Sequence, residues 1–201
     1  MPRVAKYNRN EALAKAVSLF WANGYHGTSL KQLEQALDMR PGSLYAAFGN
    51  KQSLFLEALN AYADELVSQL EGCLADEPSS LSALKAFIRQ LILCNADSME
   101  PPARACMIVK TLLEVRDEDE PLGSRVNELL ADVEELFEDL LRRAQREGEL
   151  RADVQCDRLA RLLQVQVMGA RTFAQRRVSN QSVESVVEDI EAMIDSYRVR
   201  H

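Results

Sequence analysis

The side chains best suited to chemistry in this chain lie in one short stretch, residues 28–56, which reads TSLKQLEQALDMRPGSLYAAFGNKQSLFL. Thr28, Ser29 and Ser43 offer hydroxyls, Arg40 a guanidinium, Tyr45 a phenol and Lys51 an ammonium. All can donate to anionic oxygen, and a helix N-terminus with exposed N–H groups beside a lysine is itself an anion site. The rest of the chain offers little of the chemistry that enzymes use. Its two histidines, His26 and the terminal His201, form no cluster. There is no phosphate-cradling glycine loop, no nucleophile elbow, and no carboxylate–histidine pair at metal spacing. The expectation is therefore no catalytic residue, no metal site and no cofactor. A helical enzyme, or a helical adaptor that meets another protein, stands as the alternative to the reading that follows.

Three helices must position those groups. Ser29 followed three residues later by Gln32 fits a capping box, and Leu30, Leu33, Ala36 and Leu37 then recur at helical spacing. Asp38-Met39-Arg40 breaks the run, and Pro41 suits a first helical position because the N–H it lacks would be unpaired there anyway. The next helix runs to Phe48, with Leu44 and Phe48 four apart on its inner face. Gly49-Asn50 ends it and Lys51 opens another. Upstream, residues 8–23 form the first helix, with Ala12, Ala16, Leu19 and Phe20 apolar and Gly24 as its stop. Two short helices joined by a tight turn are a helix-turn-helix, the device that sets a helix in the major groove of DNA.

The run from Phe20 through Gly24, Thr28, Leu44-Tyr45, Phe48, Lys51 and Leu54 resembles the N-terminal domain of the tetracycline-repressor family of bacterial transcription regulators. The resemblance covers about the first quarter of the chain. It implies that the short helix after Pro41 lies in the major groove, that Tyr45 and Lys51 hold phosphates, and that Thr28 helps fix the second helix on the DNA backbone. The candidate DNA-binding residues are Thr28, Ser29, Arg40, Pro41, Gly42, Ser43, Tyr45, Ala47 and Lys51. One departure is informative: between Pro41 and Phe48 there is no Asn, Gln, Arg or Lys, so the usual bidentate base readers are missing. Base readout is left to Arg40, the Ser43 hydroxyl, the backbone at Gly42, and contact of Ala46 or Ala47 with thymine methyls. The basic tail Arg3, Lys6 and Arg9 adds a candidate minor-groove arm.

Charge agrees once it is divided. The whole chain carries −7, yet residues 1–60 hold seven Lys/Arg against four Asp/Glu, a net of +3, while residues 61–201 hold 17 against 27, a net of −10. A positive end meets phosphate and an acidic body is repelled by it, which orients the encounter. Apolar residues at 47% and charged residues at 27% suit a globular chain with a sizeable core. No apolar run approaches the ~20 residues that span a bilayer, and no apolar signal-peptide core stands at the N-terminus. Cys73, Cys94, Cys106 and Cys156 are scattered without Cys-x-x-Cys spacing, as reduced thiols would be. The expected location is the cytoplasm, with no membrane partner.

Past Lys51 the sequence reads as helix after helix, with stripes at Leu81, Leu84, Ile88 and Leu91, at Val126, Leu129, Val133, Phe137 and Leu140, and so on to the C-terminus. A helix is expected to open at Pro101-Pro102 and to carry Cys106 near its start. The whole is expected to be all-α: an N-terminal three-helix helix-turn-helix domain, residues 1–52, and a C-terminal helical ligand-binding and dimerisation domain, residues 53–201. The resemblance further implies a homodimer that binds a palindromic operator on double-stranded DNA, and a small-molecule or electrophile effector that releases it. The long helix from Lys51, which belongs to both domains, is the natural lever. Candidate interface residues are Leu162, Gln166, Gly169, Ala170, Phe173, Val187, Ile190 and Ile194, on two strongly apolar terminal helices. Candidate effector or sensor residues are Cys106, Met107, Lys110, Phe137, Met168 and Arg171. The apolar ones among them serve equally as plain core, and Lys110, Glu114 and Arg171 equally as solvated edges.

Overall fold

A computed structural model describes residues 8–93, 105–116, 119–176 and 178–199. Within them lie nine helices: α1 (Arg9–Asn23), α2 (Leu30–Leu37), α3 (Pro41–Phe48), α4 (Lys51–Asp76), α5 (Ser80–Leu93), α6 (Met107–Glu114), α7 (Leu122–Arg146), α8 (Cys156–Phe173) and α9 (Asn180–Asp195). The only extended pairing among these residues is an isolated antiparallel bridge between Leu150 and Arg198. The chain forms two compact units. The first holds residues 1–65 with 107–127, and the second holds 66–106 with 128–201. α4 and α7 each begin in the first unit and end in the second.

The first unit is built on the local signals of the sequence. Asn8 caps α1 by accepting the Asn10 N–H, and Gly24 ends that helix at φ 77°. Ser29 and Gln32 close a complete capping box on α2. Asp38 ends α2 in the left-handed region, and Pro41 takes the first position of α3. The buried set is Ala12, Ala16 and Phe20 from α1, Leu33 and Leu37 from α2, Met39 from the turn, Leu44 and Phe48 from α3, and Leu54, Phe55, Ala58 and Leu59 from α4. Phe20 and Phe55 meet edge to face at 4.7 Å. Each large side chain fully withdrawn from water contributes about 1.5–3 kcal/mol.

In the second unit, α5, α8, α9 and the C-terminal part of α7 bury one continuous core that includes Leu84, Phe87, Ile88, Phe137, Leu141, Leu163, Val187 and Ile194. The N-terminus of α5 is capped from far along the chain. Glu149 accepts the Leu81 N–H at 3.2 Å and the Ser79 hydroxyl at 2.7 Å, and Glu147 accepts the Ser80 N–H at 3.3 Å. Two carboxylates thus face the positive end of the α5 dipole. Opposite, Arg89 grips Glu191 through two bonds of 2.7 and 2.8 Å, tying α5 to α9.

The helix expected to open at Pro101-Pro102 begins, among the described residues, at Met107. Pro101, Pro102 and Arg104 lie outside those residues, as do Met99, Cys94 and the arm residues Arg3 and Lys6. Cys106 therefore stands immediately before α6, not inside its first turn. The α5 cap yields a stability prediction. Glu149→Ala removes the acceptor for one end N–H and one hydroxyl, so the unfolding free energy falls by about 1 kcal/mol. Urea denaturation followed by circular dichroism measures it; an unchanged midpoint would show that the cap contributes nothing.

Candidate nucleic-acid interface

The reading surface is assembled on α2, the turn and α3. Leu44 and Phe48 face inward, so Arg40, Pro41, Gly42, Ser43, Tyr45 and Ala46 face solvent, with Ala47 half-buried. Tyr45 keeps 44% of its surface exposed on this face. Arg40 caps α3 through its backbone alone: its side chain makes no cap bond, while its carbonyl accepts the Ser43 and Leu44 N–H groups. Ser29 is exposed, but its hydroxyl is engaged with Gln32.

Thr28 is placed differently from what the resemblance implied. It is fully buried, and its hydroxyl donates to the Gly24 carbonyl at 2.7 Å. It fixes the α1–α2 corner from within and offers nothing to DNA directly. Arg9, read as part of a basic arm, packs against the headpiece: its guanidinium pairs with Glu57 at 2.7 Å and covers the Phe48 ring at 4.7 Å.

Lys51, at the start of α4, is half-buried, and its ammonium lies 4.4 Å from the centre of the Tyr25 ring. Burial lowers its pKa from the ordinary lysine value, while Glu114 and Asp119 oppose that shift. Asn50 caps the same helix by accepting the Ser53 N–H at 2.8 Å.

The α1–α2 corner is also held by residues from α6 and the segment after it. Lys110 donates to the carbonyls of Trp21 and Ala22, at 2.6 and 3.1 Å, where α1 leaves its last carbonyls unpaired. Glu114 accepts the Tyr25 N–H at 2.7 Å. A side chain at position 24 would collide with the Glu114 carboxylate, and φ 77° there independently demands glycine. His26 and Asp119 pair at 2.9 Å, and the Arg116 N–H holds the Asp119 carboxyl below its usual pKa, with His26 adding to the effect. Lys110 thus caps the end of α1. Nothing in the sequence signals a contact spanning 89 positions; only the unusual placing of ionisable groups on an apolar helix hints at it.

Met107 and Phe137 are fully buried, Phe137 against Phe87 in the second unit's core, and Arg171 is buried on α8. Met168 is half-buried, and so is the Cys106 thiol. A cavity of about 430 Å³ opens at the N-terminal end of α8, lined by Arg151, Gln155, Arg158, Leu159, Leu162 and Tyr197 among others.

Of the interface candidates, Ala170, Val187, Ile190 and Ile194 are buried in the second unit's own core. They sit on the inner stripe of α8 and α9, which packs against neighbouring helices of the same chain. The outer face of α8 carries Leu162, Gln166 and Gly169, all exposed, with half-buried Phe173 beside them. Val165, 59% exposed, belongs to this face as well.

Comparison with known proteins places this geometry. Residues 12–58 match the family of bacterial regulatory proteins of the tetR type. Residues 80–190 match the tetracyclin repressor-like C-terminal domain. The chain is 30% identical to a cysteine-substituted form of the TetR-family transcriptional regulator CifR, solved with 26-base-pair double-strand operator DNA. That match has a TM-score of 0.84 and covers 94% of this chain and 98% of that one. It is 29% identical over 174 residues to the HTH-type transcriptional repressor ComR of Escherichia coli, covering 86% of this chain and 82% of ComR. It is likewise 29% identical to the uncharacterized HTH-type regulator YezE of Bacillus subtilis, covering 97% and 95%. With both halves of the architecture matched and the outward α3 in place, the chain belongs to the tetracycline-repressor family: it is a DNA-binding helix-turn-helix transcriptional regulator and not an enzyme.

Proposed function

We propose that this protein is a cytoplasmic homodimeric repressor that grips a palindromic operator through two copies of α3 and releases it when an effector binds or a thiol is modified. The observation that carries this reading is the outward set of Arg40, Ser43 and Tyr45, presented on an eight-residue helix whose other face is fully committed to the core. Tyr45 and Lys51 hold phosphates, and α3 enters the major groove. Lys51 reaches phosphate from beside the Tyr25 ring. Operator-bound CifR, the 30%-identical relative, supports the operator as the partner, and ComR, named a repressor, supports the sign of regulation.

Dimerisation supplies the second half-site. The exposed apolar face of α8, with Leu162, Val165, Gly169 and neighbouring Phe173, suits a two-fold four-helix contact with the same face of a second copy. Exposed Gly169 permits close helix approach. A two-fold dimer places its reading helices about 34 Å apart, one turn of duplex.

Gel-shift titration against DNA upstream of the protein's own gene, run as a salt series, tests the central reading. A salt-dependent, sequence-preferring complex is expected; an enzyme or adaptor gives none. Lys51→Ala should lower operator affinity at least tenfold and reduce the salt slope by about two, one phosphate contact from each protomer. An unchanged slope would remove Lys51 from the phosphate contacts.

Val165→Glu places a carboxylate on the exposed face of α8. It should give a folded monomer by light scattering, with operator binding weakened by two orders of magnitude or more. A folded dimer would move the interface elsewhere.

The thiol of Cys106, next in sequence to α6, is the proposed sensor. α6 carries the Lys110 and Glu114 contacts to the α1–α2 corner, so a modification beside it acts close to the reading unit. Release of DNA by reactive aldehydes, quinones or peroxide is expected to disappear in Cys106→Ser. Undiminished release from that variant would leave the sensing role without support.

A further inference from the structure

Gly42 occupies the second position of α3, in the first turn of the helix. The fold gives no reason for it. Its backbone is not in the left-handed region, and a Cβ built there would meet nothing within 4 Å. It lies on the outward face, one turn from Ala46 and next to Ser43, so this face presents a hydrogen atom, a hydroxymethyl and a methyl. Ala47, the other small residue, is half-buried, and its carbonyl accepts a bond from Arg9 at 3.4 Å, so Ala46 is the more exposed of the two methyls. Arg40, immediately before the helix, is exposed, and its side chain makes no cap bond.

We infer that Gly42 is a specificity-determining residue: it lets the α3 backbone sit closer to the base edges than any side chain would allow, so that Ala46 packs on a thymine C5-methyl and Arg40 supplies the directional hydrogen bonds, to a guanine. The inference rests on the operator-binding reading above and names the kind of sequence that α3 selects. Close approach replaces the long bidentate amides that this helix lacks. A methyl on Ala46 is short, and reaches the thymine methyl only if the helix axis lies deep in the groove. Glycine at 42 removes the side chain that would hold the axis away. Arg40, with its long side chain on the residue before α3, spans the remaining distance and pairs with guanine O6 and N7, the commonest specific contact in the major groove.

The experiment begins with wild-type protein and selection from a random duplex library. If no sequence is enriched, the operator reading fails, and this inference with it. Once a preferred duplex is in hand, Gly42→Ala is compared with wild type on that duplex, on a scrambled duplex at low salt, and by thermal unfolding. The expected result is an unfolding midpoint equal to or above that of wild type, at least a tenfold loss on the preferred duplex, and affinity for the scrambled duplex within twofold. Equal losses on both duplexes, or no loss on either, overturn the inference.

Because a fall in the midpoint would confuse that comparison, a second measurement alters the DNA instead. Uracil replaces thymine one position at a time, removing only the methyl. Wild type should weaken several-fold at one symmetric pair of positions, and Ala46→Gly should lose that dependence. If no position responds, or if Ala46→Gly keeps the response, there is no methyl contact at Ala46. Arg40→Ala should relax selection at a guanine pair while other positions keep their preference; uniform weakening would make Arg40 a phosphate contact and overturn its part.

Discussion

An eight-residue helix is not stable by itself in water, because the cost of nucleating it exceeds what so few backbone bonds return. α3 exists because Leu44 and Phe48 are buried among the side chains of its neighbours, and because the Pro41 ring sets the first φ before the helix starts. That dependence is what makes the unit useful. Two anchors committed to the core leave Gly42, Ser43, Tyr45 and Ala46 exposed, so they can be chosen for what they touch outside. It also transmits displacement. Any shift of the core under Leu44 and Phe48 moves the outward residues with it, since the helix has no independent stability to resist.

The core under α3 is itself held at the α1–α2 corner. The last carbonyls of α1 receive the Lys110 ammonium, and the Tyr25 N–H just beyond finds the Glu114 carboxylate. The carbonyls are groups that a helix C-terminus leaves unpaired, so these contacts satisfy the end of α1 and the turn after it with side chains from α6. Thr28 closes the corner from inside by returning its hydroxyl to the Gly24 carbonyl. Gly24 is needed twice over, for its positive φ and for the space the Glu114 carboxylate occupies. The end of α1, the turn into α2 and α6 therefore meet at one corner, just ahead of the α2 cap at Ser29. The segment 107–127 belongs to the reading unit by packing although it is distant in sequence.

The local rules were legible and the long-range ones were not. The α2 capping box, the proline at the start of α3, the glycine ending α1 and the inward pair Leu44 and Phe48 follow from residue types at fixed spacing, and each is found in the structure. The outward groups of the interface follow from the same pattern. What periodicity could not decide is which of two apolar stripes on one helix meets its own chain. On α8 and α9 the stripe through Ala170, Val187, Ile190 and Ile194 fills the core, while Leu162 and Val165 remain outside. Both stripes look alike in composition, because burial against a neighbouring helix and burial against another molecule select the same side chains. Lys110 was opaque for a related reason: its partners are backbone carbonyls, and a carbonyl has no signature in sequence.

Lys51 shows how these constraints meet at a single group. Its stem is half-buried over the Tyr25 ring, where burial disfavours the charged form, while the carboxylates of Glu114 and Asp119 favour it. Burial is the larger influence, so the pKa falls below the ordinary lysine value, and the two carboxylates limit the fall. The same carboxylates, though, partly neutralise the field that an approaching phosphate meets. A phosphate and two carboxylates are alternative counter-ions for one ammonium. The strength of that anchor therefore depends on where α6 and the segment after it hold Glu114 and Asp119, as well as on the lysine itself. Because Glu114 also holds the Tyr25 N–H, withdrawing it alters the corner and the anchor together.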